Sequence, residues 1–158
     1  MSSDVVVRRA EPGDLESVAE LAGHLVRQHH EADAGRFFLP DRVEQGYVWW
    51  FSRELGRSEA VVLVALDGPA IVGYAYGALE ERNWNLLLDA HGAIHDIYVL
   101  DRARRLGVGT KLFDALIAEL EALGAPRIVL STMVGNQPAQ HLFASRGFRP
   151  TLLEMTRS

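Results

Sequence analysis

Residues 94–111 read Ile-His-Asp-Ile-Tyr-Val-Leu-Asp-Arg-Ala-Arg-Arg-Leu-Gly-Val-Gly-Thr-Lys. The first part predicts a strand that ends at Val99, and Gly107 begins an amphipathic helix that continues to about Leu123. Two consecutive arginines stand directly before two glycines in the connection. Glycines let a ligand approach the backbone closely, and the free amides at a helix start attract anions. The segment therefore predicts an anion site between a strand and a helix.

Two common phosphate-binding motifs do not fit this segment. A P-loop needs a glycine directly before its lysine, whereas Thr110 precedes Lys111 here. A dinucleotide-binding fingerprint needs a third glycine where Leu112 stands, and it normally follows the first strand of the fold. The segment at 94–111 follows about the fourth strand, so another kind of anion site is indicated.

Hydrophobic periodicity on either side of this segment predicts strands and helices in mixed order. Strands are predicted at 5–8, 60–66, 71–79, 93–99, 128–133 and 148–156, and helices at 14–28, 41–55, 107–123 and 138–146. The segments 29–40 and 80–92 are interpreted as loops. A central hairpin followed by alternating strands and helices predicts an α/β (α+β) fold, with a mixed sheet covered by helices on both faces. We expect a single domain over residues 1–158.

Composition excludes several classes of protein. The chain has 158 residues, no cysteine and a net charge of −5. The charge disfavours a nucleic-acid partner, and the absence of cysteine excludes disulfides, thiolate metal ligands and a cysteine nucleophile. No secretory signal and no apolar run long enough for a bilayer is present, so we expect a cytoplasmic protein with no membrane partner. His29 with His30, and His91 with His95, lack the spacing or further ligands of a metal site, so we expect no metal.

Two motifs together resemble those of the GNAT superfamily of acyl-CoA N-acyltransferases. Residues 104–109, Arg-Arg-Leu-Gly-Val-Gly, resemble its Arg/Gln-x-x-Gly-x-Gly/Ala pyrophosphate loop. Residues 136–148 resemble its second signature, Asn-x-x-Ala-x-x-Leu-Tyr-x-x-x-Gly-Phe. The predicted order of elements also matches that fold over nearly the whole chain. The resemblance implies a mixed, mostly antiparallel central sheet flanked by helices on both faces.

The resemblance also implies acetyl-CoA as co-substrate. Its pantetheine would hydrogen-bond the backbone of Ile97 and Val99 as an added strand does, and its diphosphate would lie on the amides of residues 105–110. Asn136 would contact it from the end of the next strand. The residues expected to contact acetyl-CoA are Ile97, Tyr98, Val99, Arg104, Arg105, Leu106, Gly107, Val108, Gly109, Thr110, Asn136 and Phe143.

An amine acceptor requires a general base, because alkylammonium groups have pKa values of about 10.4 and only the neutral amine attacks a thioester. His95 is the first candidate, since related acyltransferases present a catalytic histidine or glutamate from this strand. Glu80 and Glu81, at the end of the neighbouring strand, are the alternatives.

Alternation along a strand predicts which candidates share a face. It places His95 with Ile97 and Val99, and Asp96 with Tyr98 on the opposite face, unless a bulge intervenes. We therefore expect only one of the two polar neighbours, His95 and Asp96, to face the cleft.

One position departs from the family pattern. The tyrosine that protonates the leaving thiolate in the family falls at Phe143, which cannot donate a proton. Two functions therefore stay open: an N-acetyltransferase working by direct transfer in a ternary complex, or a catalytically weak acyl-CoA-binding sensor. The departure affects the acid step and leaves the predicted fold and co-substrate unchanged.

The acceptor is predicted only as a class. The segments that shape the acceptor site in this fold mix carboxylates with aromatics, which suits a cationic small-molecule or peptide amine. The residues in these segments are His29, His30, Asp33, Phe37, Phe38, Trp49, Trp50, Glu81, Trp84 and Asp89. A polyamine, an aminoglycoside, an amino acid and a protein N-terminus are all candidate acceptors. The Leu86–Leu88 run covers the core or contributes to a homodimer.

Overall fold

This computed structural model describes residues 4–158, which form five strands and four α-helices. The strands are β1 (Val6–Arg9), β2 (Ala60–Asp67), β3 (Ala70–Glu80), β4 (His91–Val99) and β5 (Ile128–Leu130). The helices are α1 (Leu15–Ala32), α2 (Val43–Glu54), α3 (Val108–Ala122) and α4 (Gln137–Ser145), with 3-10 segments at Pro12–Asp14 and Asp101–Leu106.

The strands form one sheet in the order β1-β2-β3-β4-β5. The first four pair antiparallel to their neighbours, and β5 pairs parallel to β4. Gly68, with φ +60°, makes the tight turn between β2 and β3. The mixed, mostly antiparallel sheet expected from the sequence is confirmed.

The two faces of the sheet carry separate clusters of buried side chains. Val18 of α1 and Phe51 of α2 pack against Val62 and Val64 on one face, which we call the α1/α2 face. On the other, the α3 face, Leu112, Phe113 and Leu116 of α3 pack against residues that include Val61, Leu63 and Val72. Because β2 is buried on both sides, its sequence is continuously apolar rather than alternating. The prediction of helices on both faces is confirmed.

Helix α1 is longer than the sequence pattern predicts. It continues to Ala32, so residues 29–32 are helical rather than part of a loop. The Nδ1 of His29 lies 2.8 Å from the Leu25 carbonyl oxygen, one helical turn back. Hydrophobic periodicity did not predict this last turn because His29, His30, Glu31 and Ala32 include no large apolar side chain that would continue the apolar stripe.

The predicted strand over residues 148–156 is wrong. Phe148 packs against the α3 face, but residues 149–158 belong to no strand and are exposed. Strand β5 is also shorter than predicted, since it ends at Leu130 instead of residue 133. A β-prone sequence becomes a strand only when a partner edge pairs with it, and sequence pattern does not report the partner.

Within residues 4–158, no helix combines the length and the apolar character needed to cross a bilayer.

Candidate functional site

A β-bulge interrupts β4 at the residues expected to carry the chemistry. Tyr76 of β3 lies opposite Asp96, and its neighbour Gly77 lies opposite Ile94, so His95 is an extra residue without a partner in the ladder. The His95 ring stacks on the ring of Tyr76, with centroids 5.4 Å apart. Side chains therefore do not alternate strictly between the two faces of the sheet from position 94 to position 97.

The bulge turns two consecutive polar side chains to the same face. Tyr74 and Tyr76 both lie in the core of the α1/α2 face, where His95 stacks on Tyr76 and Asp96 accepts a hydrogen bond from the Tyr74 hydroxyl. Ile97, by contrast, packs against the α3 face. The expectation that His95 shares a face with Ile97 and Val99 is wrong, and so is the expectation that Asp96 faces away from His95.

Gly77 makes this irregular pairing sterically possible. A Cβ at position 77 would lie 2.6 Å from the backbone oxygen of Ala93, closer than real contacts allow. We expect Gly77→Ala to destabilise the fold by about 2 kcal/mol, which lowers Tm by roughly 4–8 °C. Thermal unfolding checks this, with Gly46→Ala as the control because a Cβ there meets no atom within 4 Å. An unchanged Tm for Gly77→Ala would show that the close approach does not constrain the register.

His95 forms a pair with one of the two glutamate candidates. Its Nε2 lies 2.6 Å from the Glu80 carboxylate, whose other oxygen lies 3.6 Å from Nε2 of the buried His91. Glu81 follows the end of β3, is exposed and makes no hydrogen bond or ion pair with His95. The structure thus joins His95 and Glu80 into one histidine–carboxylate pair and leaves Glu81 outside it. When Nε2–H donates to the carboxylate, Nδ1 is the basic nitrogen.

The ring beneath His95 is itself held in place. The Tyr76 hydroxyl donates to the carboxylate of Glu54, which is buried and also pairs with Arg57 at 2.8 Å. Burial, together with the hydrogen bond to Glu54, raises the pKa of Tyr76 above its usual value. Tyr76 therefore stays neutral and provides a fixed surface for the imidazole.

Asp96 lies where alternation predicts it, on the face of Tyr98 and opposite Ile97, and the bulge brings His95 to this same face. Its carboxylate is partly buried and accepts a hydrogen bond of 2.9 Å from the Tyr74 hydroxyl. Burial raises the pKa of the Asp96 carboxyl, and the hydrogen bond from Tyr74 offsets this only in part. Burial and the nearby Asp96 charge raise the pKa of Tyr47 to about 12. No local sequence signal marked this position, because a bulge is set by the pairing of two strands.

The second half of β4 has an open edge. Strand β5 pairs with β4 only at residues 92–94 and ends at Leu130, so residues 95–99 have a strand neighbour on the β3 side alone. The amide of Leu100 donates to Val72 of β3. Because successive backbone groups point to opposite sides of a strand, those of Ile97 and Val99 face the open edge. These are the two residues at which the family resemblance implies backbone pairing with pantetheine.

Free amides lie close to this edge, at the start of α3. Gly107 adopts φ +73°, a left-handed conformation that suits glycine, and it precedes the first helical residue, Val108. The first backbone bond of the helix runs from Lys111 N–H to Gly107 O. The amides of residues 108–110 therefore have no acceptor within the helix and can bind an anion.

Arg104 extends its side chain back toward β4. Its Nε donates to the Val99 carbonyl at 2.9 Å, its Nη1 pairs with Asp101 at 2.7 Å, and its guanidinium lies 5.4 Å from the Tyr98 ring centroid. Arg105 is exposed. A shallow cavity of about 370 Å³ adjoins this end of β4, lined by His24, Tyr98, Leu100, Asp101 and Arg102.

Asn136 and Phe143, the two residues of the second motif expected to contact acetyl-CoA, also make contacts within the protein. Asn136 caps α4, because its side-chain oxygen accepts from the Ala139 amide at 3.3 Å. The Phe143 ring packs against Phe113 of α3 and against Phe148, with centroids 5.0 and 6.3 Å away. Phe143 thus attaches α4 to α3, whatever further contacts it makes.

Two of the residues suggested for the acceptor site, His29 and Asp89, already make contacts within the protein. His29 packs edge-on against Phe37, with centroids 4.9 Å apart, at the end of α1. Asp89 is paired with Arg82 at 2.9 Å and is therefore already neutralised. In the part of the chain that the structure describes, no group of three or more His, Asp or Glu side chains is arranged to hold a metal ion.

Comparison with known proteins gives consistent matches. Residues 24–148 match the acetyltransferase (GNAT) family. An N-alpha-acetyltransferase of Sulfurisphaera tokodaii is 33% identical over 106 residues, and the alignment spans 64% of this chain and 64% of that protein, less than two thirds of its length. An uncharacterized N-acetyltransferase of Archaeoglobus fulgidus is 26% identical over 147 residues, 90% of this chain and 92% of the relative. The solved structure of an aminoglycoside N-acetyltransferase in complex with CoA is similar to this chain, with a TM-score of 0.78 at 18% identity. The superposition covers 100% of this chain and 96% of the aminoglycoside N-acetyltransferase chain.

Proposed function

The chain belongs to the acetyltransferase (GNAT) family, and from this we propose that it transfers an acetyl group from acetyl-CoA directly to a primary amine within a ternary complex. The observation that carries the proposal is the bulge in β4. It brings the His95–Glu80 pair and Asp96 to one face, beside a strand edge and a helix start suited to the thioester carrier. A binding module would not require two polar side chains, one of them partly buried, at this position.

Acetyl-CoA would bind along the open edge of β4. Pantetheine pairs with the backbone of Ile97 and Val99 as an added strand does, and the diphosphate lies on the amides of residues 108–110. Pantetheine competes with Arg104 for the Val99 carbonyl, so the arginine side chain must turn away when the carrier binds. Released from this carbonyl, the guanidinium is free to bind the diphosphate. The unpartnered strand edge and the free amides support this placement.

The acceptor would enter from the α1/α2 face. Asp96 lies on that face, and a partly buried carboxylate binds an ammonium group more strongly than an exposed one. The rings of Tyr74 and Tyr76 are buried beside Asp96 and lower the local polarity, which strengthens the attraction between a carboxylate and a cation. We assign Asp96 the role of holding the ammonium group of the acceptor near His95. The proposed acceptor class is a small-molecule or peptide primary amine.

The reaction then has one base and one leaving group. His95 accepts a proton from the ammonium, the neutral nitrogen attacks the thioester carbon, a C–N bond forms and the C–S bond breaks. Glu80 stabilises the imidazolium that results, and CoA departs as a thiolate. Because a thiol has a pKa of about 8.5, this thiolate leaves without an acid at the position of Phe143. The attacking nitrogen loses its second proton as the amide forms, and the thiolate takes up this proton directly or through solvent.

Thiol release from acetyl-CoA tests the proposal. The chain is incubated with acetyl-CoA and a panel of primary amines, including polyamines, aminoglycosides, amino acids and peptides with free N-termini. We expect steady thiol release that depends on the amine and an acetylated product of matching mass. Tight CoA binding with no turnover on any amine would instead favour the acyl-CoA sensor.

We also propose a domain organisation, a cellular location and an oligomeric state for this protein. The chain works as one catalytic domain over residues 1–158, in the cytoplasm, without a nucleic-acid partner, and as a homodimer. Its net charge of −5 supports the absence of a nucleic-acid partner, because no excess of basic residues is available for phosphates.

Asp96→Asn tests the assigned amine-binding role. Because the folded-state pKa of Asp96 is raised, wild-type stability falls as the pH rises from the unfolded carboxyl value of about 3.9 toward the folded value. Asparagine does not titrate and avoids this loss. We expect the variant to be more stable than the wild type at pH 8 by on the order of 1 kcal/mol, and to show a raised KM for the amine. Urea unfolding across the pH range and steady-state kinetics measure the two effects.

Asp114→Asn is the matched control, because it should change the stability at pH 8 in the opposite direction. Arg146 lowers the pKa of Asp114 through a hydrogen-bonded ion pair, so its stabilising effect is present above the unfolded carboxyl pKa and is lost as the pH falls through the folded value. This variant should therefore be less stable than the wild type at pH 8, with unchanged KM. An Asp96→Asn variant that is destabilised at pH 8 with an unchanged KM would contradict the role.

A further inference from the structure

His91 is a buried histidine beside the His95–Glu80 pair. It is the first residue of β4 and is 5% exposed. In the ladder it lies directly opposite Glu80, the last residue of β3, so the two side chains leave the sheet on the same side. The partners of its two ring nitrogens decide what it can do there.

One ring nitrogen of His91 is fixed by the backbone. Its Nδ1 lies 2.8 Å from the carbonyl oxygen of Asp89. A carbonyl oxygen only accepts, so Nδ1 carries a proton and donates it. The neighbouring backbone is itself held, because the Gly92 amide donates to the Arg127 carbonyl at 2.8 Å and the Arg127 side chain donates to the Ala90 carbonyl. The ring therefore has one orientation, with Nε2 toward β3.

The other ring nitrogen of His91 faces the Glu80 carboxylate. Nε2 lies 3.6 Å from one carboxylate oxygen, and the second oxygen lies 2.6 Å from Nε2 of His95. Since Nδ1 already carries a proton, Nε2 attracts the carboxylate only when it is protonated too, whereas a lone pair would repel it. The Asp89 carboxylate does not compete, because it pairs with Arg82. Glu80 thus lies between two imidazoles, one on each oxygen.

Glu80 needs a second partner to keep one orientation. Its side chain is 41% exposed and has several rotatable bonds, so a single contact would leave it many rotamers. With a partner on each oxygen it accepts Nε2–H of His95 in a fixed geometry, which leaves Nδ1 of His95 as the basic nitrogen. A group that orients a reacting side chain before the substrate arrives lowers the barrier to reaction. The buried, backbone-held His91 can provide this orientation.

We propose that His91 is a positioning residue for acetyl transfer: it holds one oxygen of Glu80 and thereby directs the other at Nε2 of His95. The inference rests on the proposed function and adds a residue that acts through Glu80 and contacts neither substrate. Loss of His91 should therefore lower kcat and leave the binding of acetyl-CoA and of the amine unchanged.

Two substitutions of His91 distinguish positioning from packing. Glutamine keeps an N–H donor near the position of Nε2, whereas methionine fills the space with an apolar side chain. We expect His91→Met to lower kcat about tenfold, with the amine KM and the acetyl-CoA Kd within about twofold, and His91→Gln to keep kcat within about threefold of the wild type. A purely structural role at this buried position predicts the reverse order, because burying an amide costs more than burying methionine. His141→Met, at an exposed histidine of α4, is the control and should match the wild type.

A double-mutant cycle tests whether His91 acts through Glu80. In the Glu80→Gln background, His91→Met should lower kcat by less than about a further twofold, because the carboxylate that it positions is gone. The proposal fails if His91→Met keeps the wild-type kcat, or if His91→Gln is as slow as His91→Met. It also fails if the effects of His91→Met and Glu80→Gln multiply in the double variant.

Urea unfolding of the same variants gives a readout that needs no turnover. If His91 holds Glu80, the double variant should shift the urea midpoint by less than the sum of the shifts of His91→Met and Glu80→Gln. Additive shifts would mean that the two side chains do not interact, and the inference fails while the proposed function stands. A wild type that releases no thiol with any amine rejects the proposed function and the role of His91 in it, whereas non-additive midpoints would still report the His91–Glu80 contact.

Discussion

Replacing His95 with alanine is expected to lower kcat for acetyl transfer by about 100-fold or more at neutral pH, with the Kd for acetyl-CoA within about twofold of the wild type. The imidazole lies 2.6 Å from Glu80 on the acceptor side of the bulge, whereas the predicted CoA contacts are on the strand edge and at the start of α3. Loss of the base therefore affects proton transfer and leaves the carrier site in place. Steady-state kinetics and calorimetry with acetyl-CoA measure the two quantities.

His141→Ala is the matched control for this variant. His141 is exposed on α4, away from the bulge in β4, so its removal should leave both kcat and the Kd unchanged. Glu80→Gln should lower kcat by about tenfold, because the amide still contacts the imidazole but no longer stabilises its charge. If His95→Ala retains the wild-type rate, Glu80, Glu81 or a water molecule acts as the base and the assigned role is wrong.

Introducing a carboxylate at Gly109 should raise the Kd for acetyl-CoA by about 100-fold, or about 2.7 kcal/mol. Gly109 lies in the first turn of α3, where the free amides would bind the diphosphate. A glutamate there stabilises the helix through its dipole, so the fold of Gly109→Glu should persist while the added charge repels the ligand. A Cβ at this position meets only Val99, at 3.8 Å, which is an ordinary contact.

The control places the same charge elsewhere on the same helix. Ala118 is exposed in the second half of α3, so Ala118→Glu adds an equal charge far from the first turn. We expect wild-type affinity for acetyl-CoA in this control and a similar thermal stability in both variants. Equal affinity of Gly109→Glu and the wild type would mean that the diphosphate binds elsewhere, and the assigned carrier site would have to be abandoned.

Some of this protein could be predicted from short stretches of sequence. The strand–turn–helix unit around Gly107 depends on a left-handed residue and on free amides, both of which are local properties. The continuous apolar run at 60–66 predicted a strand, and β2 is a strand that the structure buries on both faces. The order of the elements and the helices on both faces follow from periodicities of this kind.

Other features depended on residues that are distant along the chain. The position of His95 and Asp96 on one face arises from pairing between β3 and β4, in which Gly77 lies close to the Ala93 backbone. A one-residue shift in that pairing reverses every side chain beyond it, and no local pattern specifies the shift. The pairing of His95 with Glu80 across the two strands has the same origin.

The C-terminal segment shows the same limit at the end of the chain. Residues 148–156 were predicted to be a strand, yet they form none: Phe148 packs against Phe113 and Phe143, and no strand edge pairs with the residues after it. Sequence by itself determined the local conformations and the helix start suited to the carrier. Tertiary structure alone decided which polar side chains meet at the bulge and which edge stays open. The reason is physical: backbone preferences act between neighbouring residues, whereas register and strand partners depend on contacts between segments far apart in the chain.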